Sequence, residues 1–215
     1  MRGLLVFGLL LPLLNAAMHG SILPACCQVL IYLMLAQGLN LVVGYAGLLH
    51  LGYAAFFAVG AFSMAYLTSP QSPFNLQWSF YLALPLSVAV TLLVGALLAW
   101  PTLKLRGDYL AIVTMGFGLM LDPLMRNYDD ATKAITGMAA IATPFAGIST
   151  MVWYYLLLAG VLVCVGLAYR VRHSSLGRAL RALREDPVAA EACGISLART
   201  KLQVLTLGAA VAGLA

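Results

Sequence analysis

The stretch "FYLALPLSVAVTLLVGALLAW", residues 80–100, contains no charged side chain. It is long enough to cross a bilayer as one helix, which takes ~20 predominantly apolar residues. The rest of the chain shares this bias, since 63% of its 215 residues are hydrophobic and 9% are charged. Soluble domains usually carry about 25% charged residues. The composition, with a mean hydropathy of +0.97, therefore places most of the chain in a membrane.

Similar apolar runs lie on both sides of this stretch, at 4–18, 26–43, 51–67, 109–121 and 152–169, and a last run begins at Leu202. None alternates polar and apolar residues with a period of two, which favours helices over a β-barrel. We therefore predict an all-α fold, a polytopic transmembrane helix bundle with six spans and a partial seventh, forming one domain over 1–215. Because the last run would extend only ~21 Å against a hydrocarbon core of ~30 Å, we expect either that this domain is incomplete at its C-terminus or that its last helix is only partly embedded.

The basic residues predict the orientation of the bundle. Seven of the twelve Lys and Arg lie between Arg170 and Lys201, and the loop after 80–100 and the N-terminus carry others on the same side. Cytoplasmic loops are enriched in Lys and Arg, so this side, including the N-terminus, is predicted to be cytoplasmic. This placement explains the net charge of +5 without a nucleic-acid partner. A cleaved signal peptide is the alternative for the first run, and it fits the charge pattern less well.

The sequence offers few residues that could form a metal site, a disulfide or a catalytic site within the membrane. The four cysteines have neither a C-x-x-C spacing nor a histidine at metal-ligand spacing, so we expect no metal site and no disulfide framework. A membrane-embedded enzyme would need clustered intramembrane Asp, His or Ser side chains, and the sequence offers only Asp122, His50 and scattered hydroxyls. Since it also contains no G-x-x-x-x-G-K-[ST] motif, we expect no catalytic residue and no cofactor, and any ATP-driven work must use a partner's energy.

The charged block "GRALRALREDPVAAEACGIS", residues 177–196, interrupts the apolar pattern. Ser174 or Ser175 is suited to cap an amphipathic helix that runs through Arg184. The bland interpretation is a solvated loop whose arginines contact anionic lipid headgroups.

A second, shorter helix is predicted within the same block. Asp186 and Pro187 form an N-cap followed by proline at the first helical position. Gly194 is a natural left-handed stop after Cys193, and Ser196 is suited to cap the helix that re-enters the membrane. These helix start and stop signals favour a rigid two-turn helix over a flexible loop, and such a helix can transmit the motion of a docked partner.

Three ordered segments resemble a known family. "EACGIS", residues 191–196, with the block before it resembles the E-A-A-x-x-x-G coupling loop of ABC-importer permeases. "GLNLVVGYAGLLHLGYAAFFAVGAF" at 38–62 and "LKLRGDYLAIVTMGFG" at 103–118 resemble permeases of branched-chain amino-acid importers of the LivM type. The resemblance implies a permease domain with a cytoplasmic coupling loop at 170–201 and a short coupling helix. The residues expected at the ATPase contact are Arg178, Arg181, Arg184, Asp186, Pro187, Glu191 and Gly194.

The resemblance also implies function and partners. We expect a non-enzymatic subunit in a bacterial inner membrane that moves branched-chain amino acids into the cytoplasm. Its partners would be cytoplasmic ABC ATPases, a second permease subunit and a periplasmic binding protein, with membrane lipid around it. The alternatives are a permease for urea or short amides and, from other classes, a membrane-embedded enzyme or a structural anchor whose basic block binds lipid.

The glycine-rich segment 38–62 has two interpretations. Glycines let helices approach closely, and packing is the commoner reason for them. An interrupted helix that presents backbone groups to a substrate near the midplane is the functional alternative. The substrate-pathway candidates are Asn40, Gly44, Tyr45, Gly47 and Tyr53. His50 is expected to be a wetted side chain near the cytoplasmic face.

Two segments depart from the family pattern. After "GFG" the family has an acidic and then a basic residue, whereas 119–122 has only Asp122. The glycine-rich outer motif is reduced to "TGMAAIA" at 136–142. Asp122 with Pro123 is expected to end the fifth span near water, since an unpaired carboxylate at the bilayer centre costs roughly 2.5–3.5 kcal/mol.

Overall fold

In the computed structural model of the chain, residues 22–70, 72, 76–103, 108–127 and 149–215 are described. Over these ranges the regular structure is helical and includes no β-strand, which confirms the all-α prediction. The predicted first span at 4–18 lies outside the described residues, as does the reduced outer motif at 136–142.

The described residues form the following helices: α1 Leu23–Leu39, continued by a π-helical segment Asn40–Tyr45, α2 Tyr53–Thr68, α3 Phe80–Thr102, α4 Asp108–Asn127, α5 Thr150–His173, α6 Ser175–Glu185, α7 Pro187–Ala192 and α8 Leu197–Leu214. Three of them are long and apolar enough to cross a membrane, namely α1 with its π-helical segment, α3 and α5. α2 and most of α4 are shorter apolar helices. The number of six spans and a partial seventh remains a prediction.

Helix α4 continues through Pro123 to Asn127, so Pro123 does not end the helix. Its apolar part is Tyr109–Leu121, and the expectation that the fifth span ends near water at Asp122 and Pro123 stays a prediction. Proline removes one backbone donor from the ladder, and membrane helices tolerate this because nearby groups satisfy the freed carbonyl.

Helix α3 shows how the bundle packs. Its buried face consists of small residues spaced four apart, Ala83, Ser87, Thr91, Gly95 and Ala99. The opposite face carries large apolar side chains, of which Leu93 and Leu97 are 66% and 75% exposed. Small residues allow close approach between helices in lipid, where large apolar side chains gain nothing by turning inward. The pattern is therefore that of a helix with one face packed in the bundle and the opposite face suited to lipid.

Helix α8 occupies the centre of the described bundle and contacts α1, α2 and α3. Gly60 of α2 and Gly213 of α8 approach so closely that a Cβ on Gly60 would lie 2.9 Å from the Gly213 Cα. Nearby, the Ser87 hydroxyl donates a hydrogen bond of 2.7 Å to the Gly60 carbonyl. Close packing at glycines, together with a hydroxyl group bonded to a backbone carbonyl, thus joins α2, α3 and α8.

We expect Gly95→Ala to destabilise the bundle, because the added methyl group would overlap the Ala209 Cβ of α8. Overpacking of this kind costs about 1–3 kcal/mol. Gly166→Ala in α5 is the matched control, since nothing lies within 4 Å of its added Cβ. Thermal unfolding of the detergent-solubilised protein should show a lower Tm for Gly95→Ala alone, and equal effects of the two substitutions would contradict this packing.

The two ends of the bundle differ in character. At one end, the start of α3 meets the start of α5, where the Phe80 and Trp153 ring centroids are 6.3 Å apart. At the other end, α1 and α5 finish, α2, α4 and α8 begin, and the helices α6 and α7 cover the bundle. This second end carries the basic residues between Arg170 and Lys201, and we call it the basic end.

Candidate functional site

The first part of the charged block folds as predicted. Ser174, rather than Ser175, caps α6, because its Oγ accepts a hydrogen bond from the Gly177 N–H at 3.3 Å. Leu180 and Leu183 are buried on one face of α6, while Arg178 and Arg181 are exposed. The amphipathic pattern thus fixes α6 against the end of the bundle with its charged face outward.

The second part forms a short helix with a built stop at each end. The Asp186 Oδ1 accepts hydrogen bonds from the N–H groups of Val188 at 2.8 Å and Ala189 at 3.2 Å. Pro187 takes the first position of α7, as predicted. These contacts satisfy donors that a helix start leaves unpaired.

The C-terminal stop of α7 is a Schellman motif. The Gly194 N–H donates to the Glu191 carbonyl at 2.9 Å and the Ile195 N–H to the Ala190 carbonyl at 3.1 Å. This hydrogen-bond pair requires a left-handed residue just past the helix end, and Gly194 has φ of +83°. Ser196 precedes α8, but its side chain makes no capping hydrogen bond, so only its position was predicted correctly.

The outward surface of α7 includes a residue that the sequence reasoning missed. Glu191 and Pro187 are exposed, as expected, and Val188 beside them is 65% exposed. An apolar side chain held at the tip of a rigid helix suits burial against a partner protein. The sequence did contain a signal for this surface. Val188 is an apolar residue in the first turn of a capped helix that lies outside the apolar runs.

Arg184 differs from the other predicted contact residues. Its Nη1 donates a 2.6 Å hydrogen bond to the carbonyl oxygen of Gly44, in the π-helical segment. Arg181, by contrast, bonds the Gly177 carbonyl of its own helix through Nε at 3.3 Å. Arg184 therefore joins the charged block to the end of α1.

The substrate-pathway candidates lie in two places. Asn40, Gly44 and Tyr45 belong to the π-helical segment, and Gly47 with φ of +66° follows it. The Asn40 side chain covers Gly44, where a Cβ would overlap its Oδ1. Backbone without helical structure then connects to α2 at Tyr53. The interruption therefore lies at the basic end, between two helices, whereas the sequence interpretation placed it near the midplane.

Tyr53 packs at the junction of three helices. Its hydroxyl donates a 2.9 Å hydrogen bond to the Gly208 carbonyl of α8, and its ring lies against Gly38 of α1. The side chain is buried. This geometry gives Tyr53 a structural contact, and its place on a substrate pathway stays a prediction.

His50 is buried, with 5% of its surface exposed, so the expectation of a wetted interfacial side chain is wrong. The backbone around it is held inward because the Leu51 N–H donates to the Thr114 Oγ1 at 3.2 Å and Gly52 packs on the Thr114 carbonyl. The imidazole lies beside the rings of Tyr53 and Phe56.

A cavity of about 410 Å³ lies toward the opposite end from the basic loop. Apolar side chains form most of its wall, among them Phe57, Met64, Phe80, Leu84 and Trp153, and among the described residues of the wall Ser87 alone carries a hydroxyl group. Its size is in the range of small-molecule sites. None of the five pathway candidates lines it. In the part of the chain that the structure describes, no three His, Cys, Asp or Glu residues gather to hold a metal ion.

Comparison with known proteins gives consistent matches. A family profile described as "Branched-chain amino acid transport system / permease component" matches residues 21–215. The "High-affinity branched-chain amino acid transport system permease protein LivM" of Salmonella typhimurium is 38% identical, over 86% of this chain and 49% of that protein. The protein of the same description from Escherichia coli is 37% identical over the same shares. The chain thus spans about half the length of the curated relatives it matches. No solved structure matches it.

Proposed function

Because this chain belongs to the family of branched-chain amino acid transport system permeases, we propose that it forms the membrane-spanning part of an ATP-driven importer for branched-chain amino acids. The relatives are transport permeases and not enzymes, and three apolar helices suited to crossing a bilayer agree with a membrane permease. The proposal extends to an inner-membrane location with the basic end in the cytoplasm, which the concentration of Lys and Arg supports.

The observation that carries the proposal is the short helix α7. It stands between an aspartate cap and a Schellman motif, and Pro187, Val188 and Glu191 are exposed on it. An element with both ends fixed moves as a unit when a neighbour pushes on it. We propose that α7 is the coupling helix and that a cytoplasmic ATPase holds it in a surface groove.

The transport cycle then follows from rigid contacts. A binding protein delivers substrate at the end opposite the basic loop, beside a second permease subunit. Closure of the ATPase pair on ATP displaces α7, and α6 passes the displacement to the helices it covers. The bundle rocks between outward and inward access. The match to branched-chain amino acid permeases favours a hydrophobic amino acid over urea as the substrate.

The substrate assignment is tested by uptake of radiolabelled leucine and urea, with the protein expressed beside its ATPase, second permease and binding protein. We expect leucine uptake that requires ATP. Uptake of urea alone would instead support a permease for urea or short amides. Uptake of neither compound would contradict an importer function.

We expect Glu191→Lys to weaken co-purification of the ATPase, because the substitution reverses a charge on the exposed face of α7. Removing one member of a buried, hydrogen-bonded charge pair in a protein interface costs about 2–5 kcal/mol, largely because the other charge is left unpaired. Glu185→Lys is the matched control, since it makes the same reversal at the end of α6. Full retention of the ATPase by Glu191→Lys, or equal loss in both variants, would remove α7 from the contact.

A further inference from the structure

One residue joins the charged block to the glycine-rich segment. We propose that Arg184 is a positioning residue that fastens α6 to the π-helical segment Asn40–Tyr45, so that displacement of the coupling loop moves the end of α1. The inference rests on the proposed function for its transport consequence, and on the contacts of Arg184 for its geometry.

The hydrogen bond itself is well matched electrostatically. The Nη1 of Arg184 and the Gly44 carbonyl oxygen are 2.6 Å apart, and 140 residues separate the two in sequence. The last carbonyls of a helix have no partner within the helix, and the C-terminal end of the helix carries partial negative charge. A guanidinium group there forms a charge-assisted hydrogen bond, which is stronger than one between neutral groups.

The aliphatic part of the Arg184 side chain packs against Gly47. A Cβ on Gly47 would lie 2.9 Å from the Arg184 Cγ and 3.5 Å from its Cβ. The backbone of Gly47 is left-handed, with φ of +66°, which glycine adopts at little cost. The chain therefore turns at this glycine without a side chain that would displace the Arg184 stem.

Apolar packing supports the same junction. Leu180 of α6 is fully buried in one cluster with Leu41, Val42 and Ala46. Leu180 and Arg184 are four residues apart and therefore lie on the same face of α6, which contacts the end of α1. A π-helical segment contains one residue more per hydrogen-bonded turn than an α-helix, because its hydrogen bonds run from i to i+5. Such segments occur often at functional sites. Three of the pathway candidates, Asn40, Gly44 and Tyr45, lie in this segment.

The test is Arg184→Met, which keeps an unbranched stem beside Gly47 and removes the donors. Arg172→Met is the matched control, because Arg172 is an exposed arginine at the same end of the bundle, in the last turn of α5, and is not among the predicted ATPase-contact residues. In the assembled transporter we expect leucine uptake per ATP hydrolysed to fall about tenfold in Arg184→Met. Because uptake is divided by ATP hydrolysed, a change in the amount of bound ATPase does not by itself alter this ratio. Arg172→Met should keep the wild-type ratio.

A second measurement tests the contact without relying on transport. Hydrogen–deuterium exchange of the backbone at 43–50 should be faster in Arg184→Met and unchanged in Arg172→Met. Unchanged exchange and an unchanged uptake ratio in Arg184→Met would overturn the inference while the importer function stands. If the wild type neither binds an ATPase nor takes up leucine, the proposed function fails and the transport role of Arg184 fails with it, whereas faster exchange would still support the contact.

Discussion

Gly194→Val is expected to abolish most of the uptake supported by the wild-type protein. The Schellman motif needs a left-handed residue at this position, where φ is +83°. The left-handed conformation costs a residue with a Cβ roughly 1–2 kcal/mol, and a β-branched residue is a genuine outlier there. A penalty of this size lowers the equilibrium ratio of native to non-native turn roughly 5–30-fold. The apparent affinity for the ATPase falls with the populated fraction of the native turn, by up to the same factor, because only the folded turn can dock.

The control for this prediction is Gly194→Asn. Asparagine tolerates the left-handed region better than other residues with a side chain, and nothing lies within 4 Å of a Cβ at this position. The two variants therefore differ in backbone preference while neither meets a steric obstacle. ATPase retention and leucine uptake should be near wild type in Gly194→Asn and largely lost in Gly194→Val. Equal activity in both would show that the turn after α7 is dispensable.

Val188→Asp is the second substitution with a large expected effect. Val188 is 65% exposed at the tip of α7, so its replacement removes no internal packing of consequence. An aspartate in the first turn is also favourable for the helix itself. If the valine is buried against the ATPase, the unpaired carboxylate there costs at least ~2 kcal/mol, which is ~30-fold in affinity.

Val188→Ile separates contact from charge in this experiment, since it keeps an apolar branched side chain at the same point. Titration of purified ATPase against the detergent-solubilised permease should give weaker binding for Val188→Asp and near wild-type binding for Val188→Ile. Undiminished binding by Val188→Asp would place the docking surface elsewhere on the protein.

Local sequence patterns predicted the local structure of the charged block. Asp186, Pro187 and Gly194 each act on backbone groups within a few residues of themselves, so their effects can be recognised without knowing the fold. The same holds for the apolar runs that became α1, α3 and α5, because length and composition alone determine whether a helix suits a bilayer.

Contacts between distant segments could not be predicted in this way. Arg184 looked like its neighbours in the sequence, and its bond to Gly44 depends on how α6 lies against α1. His50 is buried because Thr114 of α4 holds the adjacent backbone, a pairing that no periodicity indicates. Pro123 illustrates a third limit, since its effect on α4 depends on which neighbouring groups satisfy the freed carbonyl.

We propose that α7 lies on the cytoplasmic side of the membrane and is covered by an ATPase. Cys193 provides a native probe, since it is exposed immediately after α7. The other cysteines, Cys26, Cys27 and Cys164, are replaced by alanine, and the remaining thiol is labelled with a membrane-impermeant maleimide. We expect labelling in inverted membrane vesicles, no labelling in right-side-out vesicles, and protection when the ATPase is bound. Labelling from the outer face, or labelling in inverted vesicles that bound ATPase does not reduce, would contradict the account.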